Sequence, residues 1–277
     1  MGKYRGRYFV RKRVWRCGGY IEIELYPVFQ RPGVRRSRCR PSRECQQRLN
    51  QRNAESKIRR LILDNFTERD LEIDLTYGKP DTPEEAEKDI ARFIRKLRKL
   101  WKDSGSELKY IIRQEQGKKS GRIHFHMILN AGPFTRDELE SLWPHGYANS
   151  RRLRLDETGL AGLASYISKE EKQRRPEELG KRRWNCSRNL HRPSPEVLDG
   201  KVRETEAREL ADAIARRGAE GEIEELYPGM TLVEAEALKN QINRGLYVYL
   251  SLAPPEAWHG RRPVPRYFSG ELGEAEP

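Results

Sequence analysis

Tyr110-Ile-Ile-Arg-Gln-Glu-Gln-Gly-Lys-Lys-Ser-Gly-Arg-Ile-His-Phe-His-Met-Ile-Leu-Asn130 is the stretch whose reading decides the fold. Two runs of alternating apolar residues flank Gly117-Lys-Lys-Ser-Gly121, a pattern that predicts a β-hairpin. In the second run Ile123, Phe125, Met127 and Leu129 share one face, and His124, His126 and Ile128 share the other. With Gly117 opposite Arg122, Tyr110 faces Leu129, Ile112 faces Met127 and Glu115 faces His124. A slip of one residue would send Glu115 to the apolar face, so the hydrophobic pattern selects the first register. Histidines two apart on a strand lie about 6–7 Å apart at Cα. With Glu115 they make an open His-His-Glu set suited to one metal ion. The plain alternative is a surface strand with two ordinary histidines. His-Phe-His with an apolar opposite face and a facing carboxylate argues against it.

Outward from the hairpin, Leu71, Ile73 and Leu75 alternate into Thr76-Tyr77-Gly78, a strand and its exit turn. Thr82-Pro83-Glu84-Glu85 is a capping box with proline at the first helical position. The helix it opens carries Ala86, Ile90, Phe93, Ile94, Leu97, Leu100 and Trp101 on one face and a Lys/Arg-rich opposite face. A short helix is expected near Thr135–Trp143 and a strand near Arg152–Leu155. Gly159 to Glu171 predicts a further helix with an apolar stripe of Leu160, Leu163, Ala164 and Ile167. At ~100° per residue Tyr166 lies off that stripe, beside Lys169 one turn on, where its hydroxyl is presented. The other reading is an edge tyrosine that packs. Lys181 to His191 is basic around Trp184, and is either a solvated loop or a base-stacking, phosphate-clamping segment. On the second reading Arg182, Arg183, Trp184 and Arg188, with Arg113 of the hairpin, contact DNA.

The composition bounds the partners. The 277 residues contain 55 Lys and Arg against 42 Asp and Glu, a formal charge of +13. Such an excess is expected of a protein with a polyphosphate partner, although a basic soluble protein without one has the same balance. No apolar run approaches the ~18 residues of a membrane span. The N-terminal residues are basic without an apolar core, so no secretory signal is expected. Cys17, Cys39, Cys45 and Cys186 form no Cys-x-x-Cys pair and read as reduced cytosolic thiols.

Three segments are expected. Residues 1–66 form a basic accessory segment with Tyr4, Tyr8, Phe9 and Trp15 interleaved, a strand at Ile21, Ile23 and Leu25, and a polar helix from Ser42 to about Leu63. Residues 67–192 form the core. Residues 193–277 form a helical and Pro-rich extension, with a strand at Leu246–Leu250. No Gly-x-x-x-x-Gly-Lys-Ser/Thr motif is present, so unwinding would need a separate helicase.

His124-Phe125-His126 followed by Tyr166-Ile167-Ser168-Lys169 resembles the HUH endonucleases, and looks most like the rolling-circle replication initiators of small phages and plasmids. Leu75-Thr76-Tyr77 occupies the place of that family's first motif, with Asp74 as a departure, and Glu115 lies where its acidic ligand is often found. The resemblance covers about Leu71 to Leu190. It implies an α+β fold, a five-stranded antiparallel sheet of ferredoxin-like or RRM-like type with helices on one face and a metal on the other. It also implies Mn²⁺ or Mg²⁺ on Glu115, His124 and His126, and Tyr166 as nucleophile with Lys169 beside it. The implied substrate is single-stranded or hairpin origin DNA. The implied partners are a host helicase and polymerase in a bacterial cytoplasm. HUH relaxases and transposases share the site, but relaxases tend to carry the tyrosine near the N-terminus and transposases are usually much smaller. A non-catalytic single-strand-binding module on an RRM-like sheet explains the charge and aromatics but not His-Phe-His facing a Glu. A zinc hydrolase would want a third His or Cys ligand.

Overall fold

The structure is a computed structural model, and it describes residues 8–29, 44–78, 82–116, 122–168, 184–240, 243–258 and 262–272. In chain order the elements are β1 (Tyr8–Cys17), β2 (Tyr20–Phe29), α1 (Glu44–Asn65), β3 (Leu71–Tyr77), α2 (Pro83–Asp103) and β4 (Tyr110–Gln116). There follow β5 (Ile123–Leu129), α3 (Arg136–Ser141), β6 (Gly146–Arg152), α4 (Ala161–Ser168), β7 (Trp184–Cys186) and β8 (Glu196–Val202). The last are α5 (Glu204–Ala215), α6 (Glu220–Leu226), β9 (Thr231–Asn240), β10 (Leu246–Ala253) and β11 (Arg266–Leu272). The fold is α+β. Two compact units divide the chain: residues 61–155 with 162–192, and residues 1–60 with 156–161 and 193–277.

The unit formed by residues 61–155 and 162–192 is built on a five-stranded antiparallel sheet of order β6-β3-β5-β4-β7. Tyr110 pairs with Leu129, Ile112 with Met127 and Glu115 with His124, the register that the apolar alternation predicts. One face of the sheet is the core. Ile73, Leu75, Ile112, Phe125 and Met127 pack in one cluster with Ala86, Phe93, Leu97 and Trp101 of α2 and Leu139 of α3. The start of α2 follows from its cap: Thr82 Oγ1 accepts from the Glu85 amide, with Pro83 at the first turn. A full capping box, Thr135 with Glu138, starts α3. Asp89, the buried carboxylate of α2, accepts from Tyr77 Oη at 3.1 Å and Arg92 Nη1 at 2.7 Å, so its charge is not stranded. At Gly146 an added Cβ would lie 2.4 Å from the Thr76 carbonyl oxygen, and only glycine lets β6 begin that close to β3.

Two expectations shift here. The strand foreseen at Arg152–Leu155 is instead β6, which has few apolar residues because it is the sheet's edge. The segment around Trp184 contributes β7, the opposite edge strand.

The other unit corrects the reading of residues 1–66 and 193–277 as accessory extensions. Strands from both ends of the chain form one six-stranded sheet of order β11-β9-β10-β2-β1-β8, antiparallel except for β11 on β9. Val14, Ile23, Leu25, Leu232, Val248 and Leu250 make its core with Ile214 of α5 and Ile223 of α6. The opposite face is polar and buried. Glu22 accepts from Arg59 Nε at 2.5 Å and Arg60 Nε at 2.7 Å, and Arg60 Nη2 reaches Glu24 at 2.5 Å. The Arg60 guanidinium lies 4.0 Å from the centroid of the Trp15 ring. Arg52 pairs with Glu236 and sits over Tyr249. Strand β1 carries charge on both faces, with Arg11 paired to Asp199 and Arg13 over Tyr26, and its periodicity reads as a basic arm. Glu/Ala-rich β9 sits in strand although its residues favour helix, because pairing on both sides overrides propensity. Cys17 and Cys186 are free thiols. Among the described residues no helix is long and apolar enough to cross a membrane.

Burial alone would push the Glu22 carboxyl up, but Arg59 and Arg60 outweigh it and hold it below its ordinary 4.5. A depressed carboxyl stabilises the fold above its unfolded value and loses that contribution as pH falls through the folded one. Glu22→Gln should therefore destabilise the fold at pH 7 by on the order of 3 kcal/mol, since Arg59 loses its close counter-charge and Arg60 is left with Glu24 alone. The gap to wild type should close as pH drops below about 4 in urea titrations. A gap that is independent of pH would contradict the ionised assignment.

Candidate functional site

The sheet face opposite α2 carries three rows of cross-strand neighbours. Trp184, Arg113, His126, Asp74 and Asn149 lie side by side across the strands. One row toward the hairpin turn are Glu115, His124, Thr76 and Tyr147. One row the other way are Cys186, Ile111, Ile128, Glu72 and Arg151. Ile111 and Ile128 are buried, so the face is closed at that end. It opens toward Tyr147, which is 76% exposed.

Each histidine is oriented from β3. His126 Nδ1 lies 2.5 Å from Asp74 Oδ1, and His124 Nδ1 lies 3.2 Å from Thr76 Oγ1. An ionised carboxylate can only accept, so neutral His126 carries its proton on Nδ1 and Nε2 is the lone-pair nitrogen. That Nε2 lies 3.6 Å from Glu115 Oε2. Tying one ring nitrogen to a carboxylate fixes tautomer and orientation and makes the other a better ligand, the usual support of a metal-binding imidazole. Arg151 then grips the carboxylates of β3, with Nη2 2.6 Å from Glu72 and Nη1 3.1 Å from Asp74. Burial opposes ionisation of Asp74, but His126 and Arg151 outweigh it and hold the carboxyl below the usual range. For Glu72 burial wins and Asp74 adds to it, so its carboxyl is raised despite Arg151.

The donor set suited to a divalent ion is Glu115, His124 and His126, two imidazoles and a carboxylate on adjacent strands. The structure brings His126 and Glu115 into each other's range. Among the described residues no group of three or more His, Cys, Asp or Glu side chains is already drawn together around one point. Tyr166 lies in α4, where Ala164 and Ile167 of the expected stripe are buried and Leu163 is half-buried, while the buried Leu160 precedes the helix. The Tyr166 side chain, Lys169, Arg182 and Arg183 lie outside the described residues. Of the other expected DNA contacts, Trp184 is half-buried beside Arg113, and Arg188 is exposed in the turn after β7. Arg113 is 3% exposed, a poor position for gripping a DNA backbone directly.

The sequence did not show that Asp74 and Thr76 contact the histidines, that Arg151 grips Asp74, or that Tyr147 is exposed on this face. The alternation of Leu71-Glu-Ile-Asp-Leu-Thr-Tyr77 already put Glu72, Asp74 and Thr76 on one face. What it lacked was the pairing of that face with His126 and His124.

Residues 71–171 match the family model described as Replication-associated protein ORF2/G2P, a segment running from β3 to just beyond α4. The match supports a replication initiator. No curated protein and no solved structure matches the chain.

The Asp74 contact has a direct readout. Long-range ¹H–¹⁵N spectra of the histidine rings should show neutral His126 protonated at Nδ1, against the usual preference for Nε2. Asp74→Leu should release it to the ordinary mixture while His124 changes little. An Nε2–H tautomer for His126 in the wild type would refute the orientation.

Proposed function

We propose that the chain initiates rolling-circle replication by metal-dependent nicking of single-stranded origin DNA with a tyrosine nucleophile. One observation carries this reading: the Asp74–His126–Glu115 line on the sheet, inside the segment that matches replication-associated proteins. A phosphodiester resists attack because its negative charge repels nucleophiles and its leaving alkoxide is poor. Glu115, His124 and His126 would hold a divalent ion, Mn²⁺ or Mg²⁺, which when bound polarises the phosphate and neutralises charge building on its oxygens. Asp74 and Thr76 keep the two imidazoles from turning, and Arg151 keeps Asp74 ionised. Tyr166 Oη attacks phosphorus as the bond to the 3′ oxygen breaks. The phenol gives up its proton and the departing 3′ oxygen gains one, leaving a 5′-phosphotyrosyl link and a free 3′-OH. Lys169 offsets charge on the phosphate or eases loss of the phenol proton. The 3′-OH primes a polymerase, the covalent link stores the energy for rejoining, and a helicase from the host opens the duplex.

A second reading, a non-catalytic single-strand-binding module, is favoured by one observation. Tyr147 is fully presented on the same face, as a base-stacking platform would be.

The two separate in one gel. Wild type with Mn²⁺ or Mg²⁺ and a single-stranded origin hairpin should give a denaturation-resistant adduct on the 5′ end of the downstream fragment. A chelator should abolish it. Tyr166→Phe should bind the DNA and give no adduct, and joint His124→Ala and His126→Ala should lose cleavage while keeping much of the binding. Asp74→Ala should raise the metal concentration for half-maximal cleavage by about 10- to 100-fold. An adduct that survives Tyr166→Phe would move the nucleophile elsewhere, with Tyr147 the exposed candidate.

A further inference from the structure

Helix α2 has two unlike faces. Ala86, Phe93, Leu97 and Trp101 are buried in the core, which fixes how the helix is turned. From Ile90 to Lys102 the sequence holds six basic residues, Arg92, Arg95, Lys96, Arg98, Lys99 and Lys102, and no acidic one. All six are exposed, as is Lys88 one turn earlier. At ~100° per residue Lys88, Arg92, Arg95, Lys99 and Lys102 fall within about 80° of arc, directly opposite the buried stripe. Along this side runs an open groove of about 470 Å³, lined by Lys88, Arg92, Ile94, Arg95, Arg98 and Tyr110. Arg98 is held there, Nη2 3.2 Å from the Tyr110 hydroxyl. Among the described residues Lys88, Arg95, Lys96, Lys99 and Lys102 make no ion pair.

An ordinary solvated helix face mixes both signs of charge, because like charges one turn apart repel. A one-sign stripe of this length carries that cost and suits a polyanion. We propose that the outer face of α2 is a binding track for the backbone of double-stranded DNA, separate from the histidine face. The choice of DNA rests on the reading of the chain as a replication protein. The choice of duplex rests on the surface itself. Single-strand sites interleave cations with exposed aromatic rings, whereas Phe93, Trp101 and Tyr110 are all buried. A straight row of cations without a stacking platform reads phosphates alone. Lys88 to Lys102 spans about 21 Å at 1.5 Å per residue, enough to follow about six base pairs at 3.4 Å each. The sheet lies between this track and the histidines, so one unit can hold a duplex on one side and a single strand on the other.

Salt dependence tests this on the full chain without reading any cleavage, so a chain that never nicked DNA would leave the test intact. The variant is Lys88→Gln, Arg95→Gln, Lys99→Gln and Lys102→Gln together. All four positions are exposed, and glutamine keeps helix propensity. A charge-matched control removes Lys201, Arg208, Arg216 and Arg217, exposed around α5, in the same way. Affinity for a 20-base-pair DNA of arbitrary sequence, its single strand, and an RNA duplex of equal length is followed across a KCl series. At about −0.9 in log–log slope per neutralised phosphate, the α2 variant should flatten the duplex-DNA slope by about 3 to 4. The single-strand slope, and the control variant on every probe, should change by less than about 1. Swapping Lys for Arg and Arg for Lys at the four positions should keep the wild-type slope. An unchanged duplex slope, equal flattening on single strands, equal flattening by the control, an effect confined to RNA, or loss of slope in the swap would each overturn the proposal.

Discussion

The constraint on which the rest depends is the register between β4 and β5. Side chains alternate with a period of two, so a single step of slip exchanges the two faces of a strand. In this hairpin such a slip would put Glu115 under α2 and drive Ile112 out. Burial of Phe125, Met127 and Ile123, each 2% exposed or less, against the α2 stripe makes that exchange costly. Hydrophobic packing on one side of the sheet thereby sets the position of every polar group on the other. The same argument extends to β3, where Leu75 lies opposite Phe125 and Asp74 opposite His126. Chemistry on the histidine face is positioned by a core that touches none of it.

The two units handle charge in different ways. In the six-stranded unit Arg52, Arg59 and Arg60 of α1 lie over Glu22, Glu24 and Glu236, and aromatic rings flank the guanidinium groups. Burying these groups costs desolvation, which is offset only because each charge meets a partner at close range. Such a layer is sensitive to geometry and specifies how α1 lies on its sheet more sharply than an apolar layer would. On the histidine face, by contrast, the chain runs from the exposed Arg151 guanidinium through Asp74 and His126 to Glu115. Asp74, His126 and Glu115 are half-buried, strong enough to orient a ring and still within reach of a ligand.

Much of the candidate site was legible because it is local. The hairpin, its face assignment and its register follow from residues at most twenty positions apart, and the start of α2 follows from Thr82 and Pro83. Apolar periodicity at 2.0 and 3.6 residues carries that information wherever one face is buried and the other wet. It fails where that condition fails. Edge strand β6 has too few apolar residues to show a period, and β1 carries charge on both faces, Lys12 beside Val10 and Val14 and Arg11 and Arg13 beside Trp15.

The sequence by itself determined the α+β character of the core, the pairing of Glu115 with His124, and the two-faced design of α2. Only the tertiary structure decided that residues near the two ends of the chain close one six-stranded sheet. It alone decided that Asp74 and Thr76 hold the histidines, that Arg113 is buried, and that Tyr147 is exposed on the same face. The reason is the range of the interactions. Helix caps, turns and alternation are fixed within a few residues. Which strand lies beside which is fixed by the shared burial of surfaces distant in sequence, as when Leu25 of β2 pairs with Val248 of β10. A carboxylate on a strand is ambiguous until its neighbour across the sheet is known. Once β5 lies beside β3 in the register that sets Leu75 opposite Phe125, Asp74 faces His126.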